Sequence, residues 1–343
     1  MTCHDHSQAH QPHEAQSLQA TAFWSDHGQG ELRTQTLPKP GINEALVQTH
    51  YTALSKGTES LVFEGRVPKS EYQRMRAPFQ EGEFGGPVKY GYCNVGIVEA
   101  GPSDWLGERV FCLYPHQDRY VVPTDALRRL PQDLPLDRAV LAANMETAVN
   151  ALADAGLDPE LQTQGSQPVT LIGAGVVGCL VAFFAQHYGH EVEVIDIDEH
   201  KRSIVEGLGL RWVSPEKARS DRAVVIHTSA TEAGLIQALN LAGPEGLIVE
   251  MSWFGTTRPC LPLGEAFHAK RLTLRSSQVS QISPARKDSW DYARRFEHAL
   301  VQLMDDRLDA LMTHESPFQA LPQVMANLTS TEGVLCHRIR YID

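Results

Sequence analysis

Residues 169–196 read VTLIGAGVVGCLVAFFAQHYGHEVEVID. The apolar run Val169-Thr170-Leu171-Ile172 leads directly into Gly173, Gly175 and Gly178; a helical apolar pattern follows, and a second β-rich run, Val192-Glu193-Val194-Ile195, ends in Asp196. Strand, glycine-rich turn, helix, strand and acid in this order and spacing form the βαβ unit that binds a dinucleotide. Gly173 permits the tight turn out of the strand, Gly175 leaves the backbone bare for a pyrophosphate, and Gly178 lets the helix approach the sheet. Val176 and Val177 open that helix, whose free N–H groups and positive dipole end favour phosphate. Asp196 is placed to accept hydrogen bonds from both hydroxyls of an adenosine ribose, and its charge would repel a 2′-phosphate. The expected cofactor is therefore NAD(H) rather than NADP(H). Ile197 and Lys201 follow the acid and belong to the same candidate site. The uncharged run 169–185 is not read as a membrane span: it holds three glycines and is shorter than the roughly 20 residues a bilayer needs.

Working outward, strands and helices keep alternating. Lys201–Leu208 reads as a helix, Ala223–His227 as a buried strand, Thr231–Leu241 as a helix, Gly246–Met251 as a strand and Leu272–Ser276 as a candidate last strand. This predicts a mostly parallel, doubly wound sheet. Ligands of such sheets lie outside the carboxyl ends of the strands. Thr228 and Ser229 fall on that edge, as do Trp253 and Phe254 in the run Ser252-Trp253-Phe254-Gly255, which could border a nicotinamide or a bulky, flat substrate. Aromatic packing at a domain or subunit interface is the alternative. Toward the N-terminus, residues 20–148 are rich in short strands: 44–49, 94–99, 109–113 and 119–122, each bounded by Gly, Pro, Asp or Asn, as in a small barrel-like β-fold. A helical pattern runs from Arg138 to Ala155, and a polar linker covers 157–167. The C-terminal part reads as a long helix from about Asp288, a second near 321–328 and a final strand over 336–341.

A chain of 343 residues is long enough for two domains, each with its own core. The net charge of −12 and the lack of a basic stripe argue against nucleic acid and anionic membrane surfaces and leave a small-molecule substrate. The six cysteines are scattered without a CxxC pair and read as reduced thiols of a cytoplasmic protein. The polar N-terminus lacks the apolar core of a signal peptide. Its Cys3, His4, His6, His10 and His13 read as part of a solvated, disordered tail, with metal binding as the sharper alternative.

A β-rich first half followed by this nucleotide unit resembles the medium-chain dehydrogenase/reductase superfamily. Gly91-Tyr92-Cys93-Asn94-Val95-Gly96-Ile97-Val98 is similar to that family's GHExxGxV motif, and Gly107-Glu108-Arg109-Val110 to its GDRV strand entry. Met145-Glu146-Thr147-Ala148 falls where the family has a helix entering the nucleotide domain, and Arg338-Ile339-Arg340 resembles its closing strand. Ser55-Lys56-Gly57-Thr58-Glu59 is closer still to the SxGTE run of the bacteriochlorophyllide hydroxyethyl dehydrogenase subgroup. The resemblance implies an α/β protein with a doubly wound parallel Rossmann sheet over 148–285. It also implies a GroES-like β-barrel catalytic domain from 19–147 and 286–343, behind a tail at 1–18. A homodimer is implied as well.

The departures from the family are chemical. Its zinc members bind the metal through a Cys in the first motif, the His of GHE, and a third Cys, Asp or Glu. Here the first motif offers Ser55 or Lys56, the His position holds Tyr92, and only Glu146 matches a third ligand. Zinc wants three protein ligands from thiolate, imidazole or carboxylate, so no catalytic metal is expected. The four-cysteine structural zinc lobe is missing too. An unorthodox set of Cys93, His116 and Glu146 is the remaining metal alternative. Without zinc, the polarising group for hydride transfer is expected from Lys56 as a cation or Tyr92 as a phenol donor. Thr58 resembles the family's hydroxyl that relays the proton, and His116 would exchange it with solvent. The rival readings are a loop cation, a packing tyrosine, a turn histidine and a helix-start carboxylate at Glu146. The expected function is a zinc-independent, NAD(H)-dependent alcohol/carbonyl oxidoreductase. Rivals are a quinone- or enoyl-reductase-like enzyme, a catalytically silent NAD(H)-binding protein, and a binding module with an empty site.

Overall fold

The computed structural model describes residues 17–161 and 165–342. The stretch with Cys3, His4, His6, His10 and His13 lies outside the described residues, as do positions 162–164 of the polar linker.

The glycine-rich stretch folds as strand Pro168–Ile172, helix Val176–His187 and strand Glu191–Ile195. These strands belong to a six-stranded parallel sheet. Its spatial order is Arg211–Val213, Glu191–Ile195, Pro168–Ile172, Arg222–His227, Ala242–Glu250, Thr273–Ser276. Every neighbouring pair is parallel, which is the doubly wound order with the glycine-turn strand inside it. Leu171, Val194, Val225, Ile226, Ile248 and Val249 are buried, as a parallel sheet covered on both faces requires. The order reverses between Pro168–Ile172 and Arg222–His227. The crevice outside their carboxyl ends is therefore the ligand position of this topology.

The antiparallel part is organised around one long strand, Glu44–Leu54, which pairs with Asn94–Ala100, Arg119–Pro123 and Cys336–Arg340. The expected strand 44–49 extends to Leu54 because Tyr51–Leu54 pair with the closing strand of the chain, a partner invisible to a local pattern. Met312–Pro317 then adds in parallel beyond Cys336–Arg340. A hairpin of Gln19–Asp26 and Gln29–Thr36 forms a second sheet. His27 and Gly28 turn it at φ of 43° and 83°, the positive pair that a two-residue hairpin loop needs. Helix Ala142–Asp154 packs against Val176–His187 on one side and Tyr292–Gln302 on the other, and so joins the two halves. Among the described residues no helix is long and apolar enough to cross a membrane.

Candidate cofactor and hydride-transfer site

The three glycines do different work. Gly173 sits at φ 106°, and a Cβ there would meet Ser229 N and Thr228 Oγ1, each at 2.8 Å. A Cβ on Gly178 would stand 2.1 Å from Gly173 O. Gly175 has φ −83° and ψ 179°, and a Cβ there meets no heavy atom within 4 Å. Two glycines are thus demanded by packing, while the third leaves an open cradle at the helix N-terminus. That cradle, with Val176 and Val177 opening the helix over it, fits a bound pyrophosphate. Thr228 Oγ1 fastens the turn by donating to Gly173 O at 2.8 Å.

The acid end is more engaged than the sequence implies. Asp196 Oδ2 accepts from Ala174 N at 2.7 Å and Lys201 Nζ at 2.9 Å, and Oδ1 accepts from Asp198 N at 2.9 Å. A carboxylate has about four acceptor sites, so these bonds leave room for one more. The expectation that Asp196 accepts from both ribose hydroxyls meets a carboxylate already paired with Lys201. Ile197 is 84% exposed at the mouth of a cleft of about 420 Å³, lined also by Lys56, Asp198, Glu199, His200 and Thr331.

Lys56 therefore lies at this end of the cleft. Its Nζ donates to Thr331 O at 2.9 Å and feels Lys201, Asp198 and Asp196; burial first, then Lys201, hold its ammonium below the usual lysine range. The role given to it beside the reacting oxygen is withdrawn, because its side chain is held by Thr331 next to Asp196, Asp198 and Lys201. Asp198 accepts from Gly333 N at 3.1 Å across the same cleft.

The residues expected at hydride transfer lie on the loop 55–58, helix Thr58–Phe63 and the stretch before strand Asn94–Ala100. Half-buried Tyr92 has Ser55 as a hydrogen-bonding neighbour; burial, then Cys93, Glu59 and Tyr90, push its hydroxyl well above the usual tyrosine range. Ser55 Oγ accepts from Thr58 N at 3.3 Å, which holds half-buried Thr58 at the head of its helix. Tyr92 packs edge-on to Tyr90 at 6.0 Å in an apolar wall that also holds Tyr72, Met75, Phe84 and Trp253. Trp253 reaches this wall from the sheet domain. Thr256 N donates to Arg66 O at 3.0 Å beside it, and Phe254 stacks on His227 with centroids 6.2 Å apart.

Two further expectations are corrected. His116 is 1% exposed, with Nε2 2.7 Å from Glu59 Oε2 and Nδ1 2.7 Å from Thr52 Oγ1. The carboxylate can only accept, so Nε2 carries the proton. A ring sealed on both sides does not trade protons with solvent, and that role is withdrawn. Glu146 is pulled away by Arg295, whose Nε reaches its Oε1 at 3.0 Å; burial, partly offset by Arg295, raises its carboxyl above the usual range. It is one half of a buried helix-to-helix ion pair rather than a catalytic acid.

These pairings decide the fit of a zinc ion. Ser55 and Tyr92 stand at the first two ligand positions and the third carboxylate is committed to Arg295. The alternative set fails as well, since both nitrogens of His116 are engaged. Among the described residues no three His, Cys, Asp or Glu side chains are grouped to hold a metal. The donor set does not fit a catalytic zinc.

Sequence reasoning missed Glu59, His227 and Glu250. Glu59 is 3% exposed, and its Oε1 accepts from Ser55 N at 3.1 Å, so it holds the loop that carries Tyr92's neighbour. His227 and Glu250 end adjacent strands in register, with Nδ1 and Oε2 2.6 Å apart. A polar residue closing each of two apolar strands was the available signal.

No family model matches the chain. It is 24% identical over 221 residues to a zinc-type alcohol dehydrogenase-like protein of Haemophilus influenzae, a match covering 60% of this chain and 59% of that protein. It is 27% identical over 246 residues to the 2-desacetyl-2-hydroxyethyl bacteriochlorophyllide A dehydrogenase of Cereibacter sphaeroides, covering 66% of this chain and 70% of that one. Among solved structures it resembles an alcohol dehydrogenase of Escherichia coli CFT073 in complex with NADH. The TM-score is 0.72 and the identity 15%, over 94% of this chain and 99% of the other. A zinc-binding dehydrogenase of Sinorhizobium meliloti 1021 bound to NADP matches with TM-score 0.75 and 16% identity, over 94% of this chain and 100% of the other. These structures share the fold, a parallel Rossmann sheet with a GroES-like antiparallel domain.

Proposed function

We propose that this chain, a member of the medium-chain dehydrogenase/reductase superfamily, is an NAD(H)-dependent oxidoreductase that interconverts an alcohol and a carbonyl without a catalytic zinc. The observation that carries the reading is Tyr92. A phenol whose proton is held this firmly stays a neutral donor near pH 7 and stands where the family places a metal ligand. A bound nicotinamide supplies or accepts the hydride. Tyr92 donates a hydrogen bond to the substrate oxygen and so stabilises the charge that grows there as the carbon is reduced. Ser55 orients Tyr92, and Thr58 passes the proton within the same loop. Gly175, Asp196 and Lys201 hold the cofactor, and Lys56 adds positive charge beside the phosphates.

NAD(H) over NADP(H) is supported by Asp196 and Asp198, two carboxylates facing the ribose end against Lys201 and Lys56. The wall of Tyr72, Met75, Tyr90, Tyr92 and Trp253 favours a reacting group carried on a flat apolar body. The hydroxyethyl bacteriochlorophyllide named for the Cereibacter sphaeroides relative has that character. The exposed edge strand Thr273–Ser276 supports a homodimer joined through this edge, and the net charge of −12 supports a small molecule over nucleic acid or a membrane surface.

The test combines cofactor titration, metal analysis and a panel of flat aromatic ketones and alcohols. NADH binds more tightly than NADPH, and Asp196→Gly narrows that gap at least about tenfold. Tyr92→Phe lowers kcat about 10²-fold while NADH affinity holds. Stoichiometric zinc with chelator-sensitive turnover, or preference for NADPH, sinks the reading.

A further inference from the structure

The carboxyl ends of strands Arg222–His227 and Ala242–Glu250 are tied by a closed polar ring. His227, 0% exposed, holds Glu250 Oε2 with Nδ1 at 2.6 Å and Ser229 Oγ with Nε2 at 2.7 Å. Glu250 Oε1 accepts from Ser252 N at 2.6 Å, and Ser252 Oγ accepts from Ala230 N at 3.0 Å. Ala230 sits at φ 54°, a left-handed backbone that a non-glycine residue adopts only when its surroundings hold it. The ring therefore fixes two loops against each other.

Both loops lead to functional ground. Thr228 and Ser229 are wedged against the glycine turn, within 2.8 Å of where a Gly173 Cβ would be. The other loop carries Trp253 into the wall beside Tyr92 and rests on the catalytic domain, where a Gly255 Cβ would stand 2.6 Å from Arg66 O. Ser229, His227 and Glu250 have the hydrogen-bond order of a nucleophilic triad, but Ser229 Oγ is shared with a second hydroxyl. It lies 2.9 Å from Thr231 Oγ1 and 2.4 Å from where a Gly234 Cβ would be. A hydroxyl held between His227 and Thr231 at a helix start serves here to position the turn.

We propose that His227 and Glu250 are positioning residues that transmit the seating of the cofactor at the glycine turn to the placement of Trp253 on the substrate wall. The carboxylate orients the imidazole with Nδ1–H toward it and Nε2 accepting from Ser229. Ser229 is thereby held against the turn, while the second oxygen of the same carboxylate sets the start of the Trp253 loop. The inference rests on the glycine turn binding a nicotinamide dinucleotide.

The full chain is titrated with NADH. Nucleotide emission reads affinity, and the indole quenching lost in Trp253→Phe reads the loop. Glu250→Ala is expected to weaken NADH about tenfold and to abolish the Trp253 share of quenching, while Glu250→Gln, which keeps the acceptor to Ser252 N and donates to Nδ1 once the imidazole moves its proton to Nε2, stays within about twofold. In the Trp253→Phe background, Glu250→Ala should cost only about twofold, because coupled positions are not additive. Ser252→Ala, at a half-exposed site, breaks the same ring more gently and should shift quenching in the same direction even if Glu250→Ala folds poorly. Equal costs in both backgrounds, or quenching unchanged in Ser252→Ala, overturn the proposal while the cofactor reading stands. A wild-type chain that binds neither NADH nor NADPH overturns both.

Discussion

Gly175 and Gly178 lie three residues apart in one turn, yet replacing each by alanine should fail in different ways. At Gly175 the backbone is already in a region open to any residue, and the new methyl meets nothing within 4 Å. Alanine at a helix N-cap held by glycine costs at most about 1 kcal/mol, or about 2–4 °C in Tm for a chain of this size. The methyl nevertheless enters the space left for the pyrophosphate. Displacing one charge-assisted hydrogen bond removes about 1.5–3 kcal/mol, about 10- to 150-fold in Kd. At Gly178 the methyl falls 2.1 Å from Gly173 O, 2.8 Å from Thr228 Oγ1 and 2.9 Å from Leu171 Cδ2. Backbone and strand side chain both stand in the way, so the helix must move by about 1 Å at an overpacking cost of about 1–3 kcal/mol. Thermal unfolding and NADH titration of the two variants separate the cases: Gly175→Ala loses at most about 2–4 °C but loses affinity, whereas Gly178→Ala loses more Tm than Gly175→Ala before any ligand is added. Wild-type NADH affinity in Gly175→Ala would refute the assignment of that space to the cofactor.

Two further outcomes follow from other parts of the molecule. His337 stacks on His314 at 5.7 Å, and burial, reinforced by that neighbour, lowers its pKa from 6.5 to about 4. The unfolded chain then binds the extra proton in this window, so wild-type stability falls as pH drops from 6.5 toward 4. His337→Gln should lose less Tm than wild type over that range, and parallel curves would refute it. In the proposed dimer, Leu274→Asp places a charge on the exposed edge strand Thr273–Ser276. Sedimentation should fall from twice 38.0 kDa toward the single-chain mass, with NADH affinity preserved.

The strand–turn–helix–strand geometry at the glycine turn was legible because its information is local. Turn, helix start and acid all lie between Gly173 and Asp196, and each glycine's role follows from its offset in the turn. The catalytic half was not, because its decisive contacts join residues far apart in the chain. Lys56 meets Thr331 across a separation of 275 residues, Glu146 meets Arg295 across 149, and His116 meets Glu59 across 57. A lysine next to a vanished ligand position can face the reacting oxygen or the phosphates, and only the pairing of the loop with the C-terminal segment decides. The hairpin at Gln19–Thr36 was missed for a different reason. Its second strand alternates weakly, and His27-Gly28 lacks the usual Asn-Gly signal.

The pairing of Glu59 with His116 explains how this site tolerates the loss of metal-ligand residues. A carboxylate 3% exposed is costly unless its oxygens are satisfied, and here one takes the imidazole and the other the Ser55 amide. Thr52 continues the chain from His116 Nδ1 to the Tyr341 hydroxyl, which lies 3.3 Å from Thr52 Oγ1. Charge that would otherwise need a cation nearby is thus absorbed by hydrogen bonds running away from the cleft into the β-domain. In the proposed site the group beside the substrate is then neutral, the Tyr92 phenol with the hydroxyls of Ser55 and Thr58 near it. Such a wall donates hydrogen bonds to a developing alkoxide but offers no full positive charge. Catalysis in the proposed enzyme then depends more on holding the substrate carbon against the cofactor than on activating its oxygen, and the placement of Trp253 by the His227–Glu250 ring bears directly on that term.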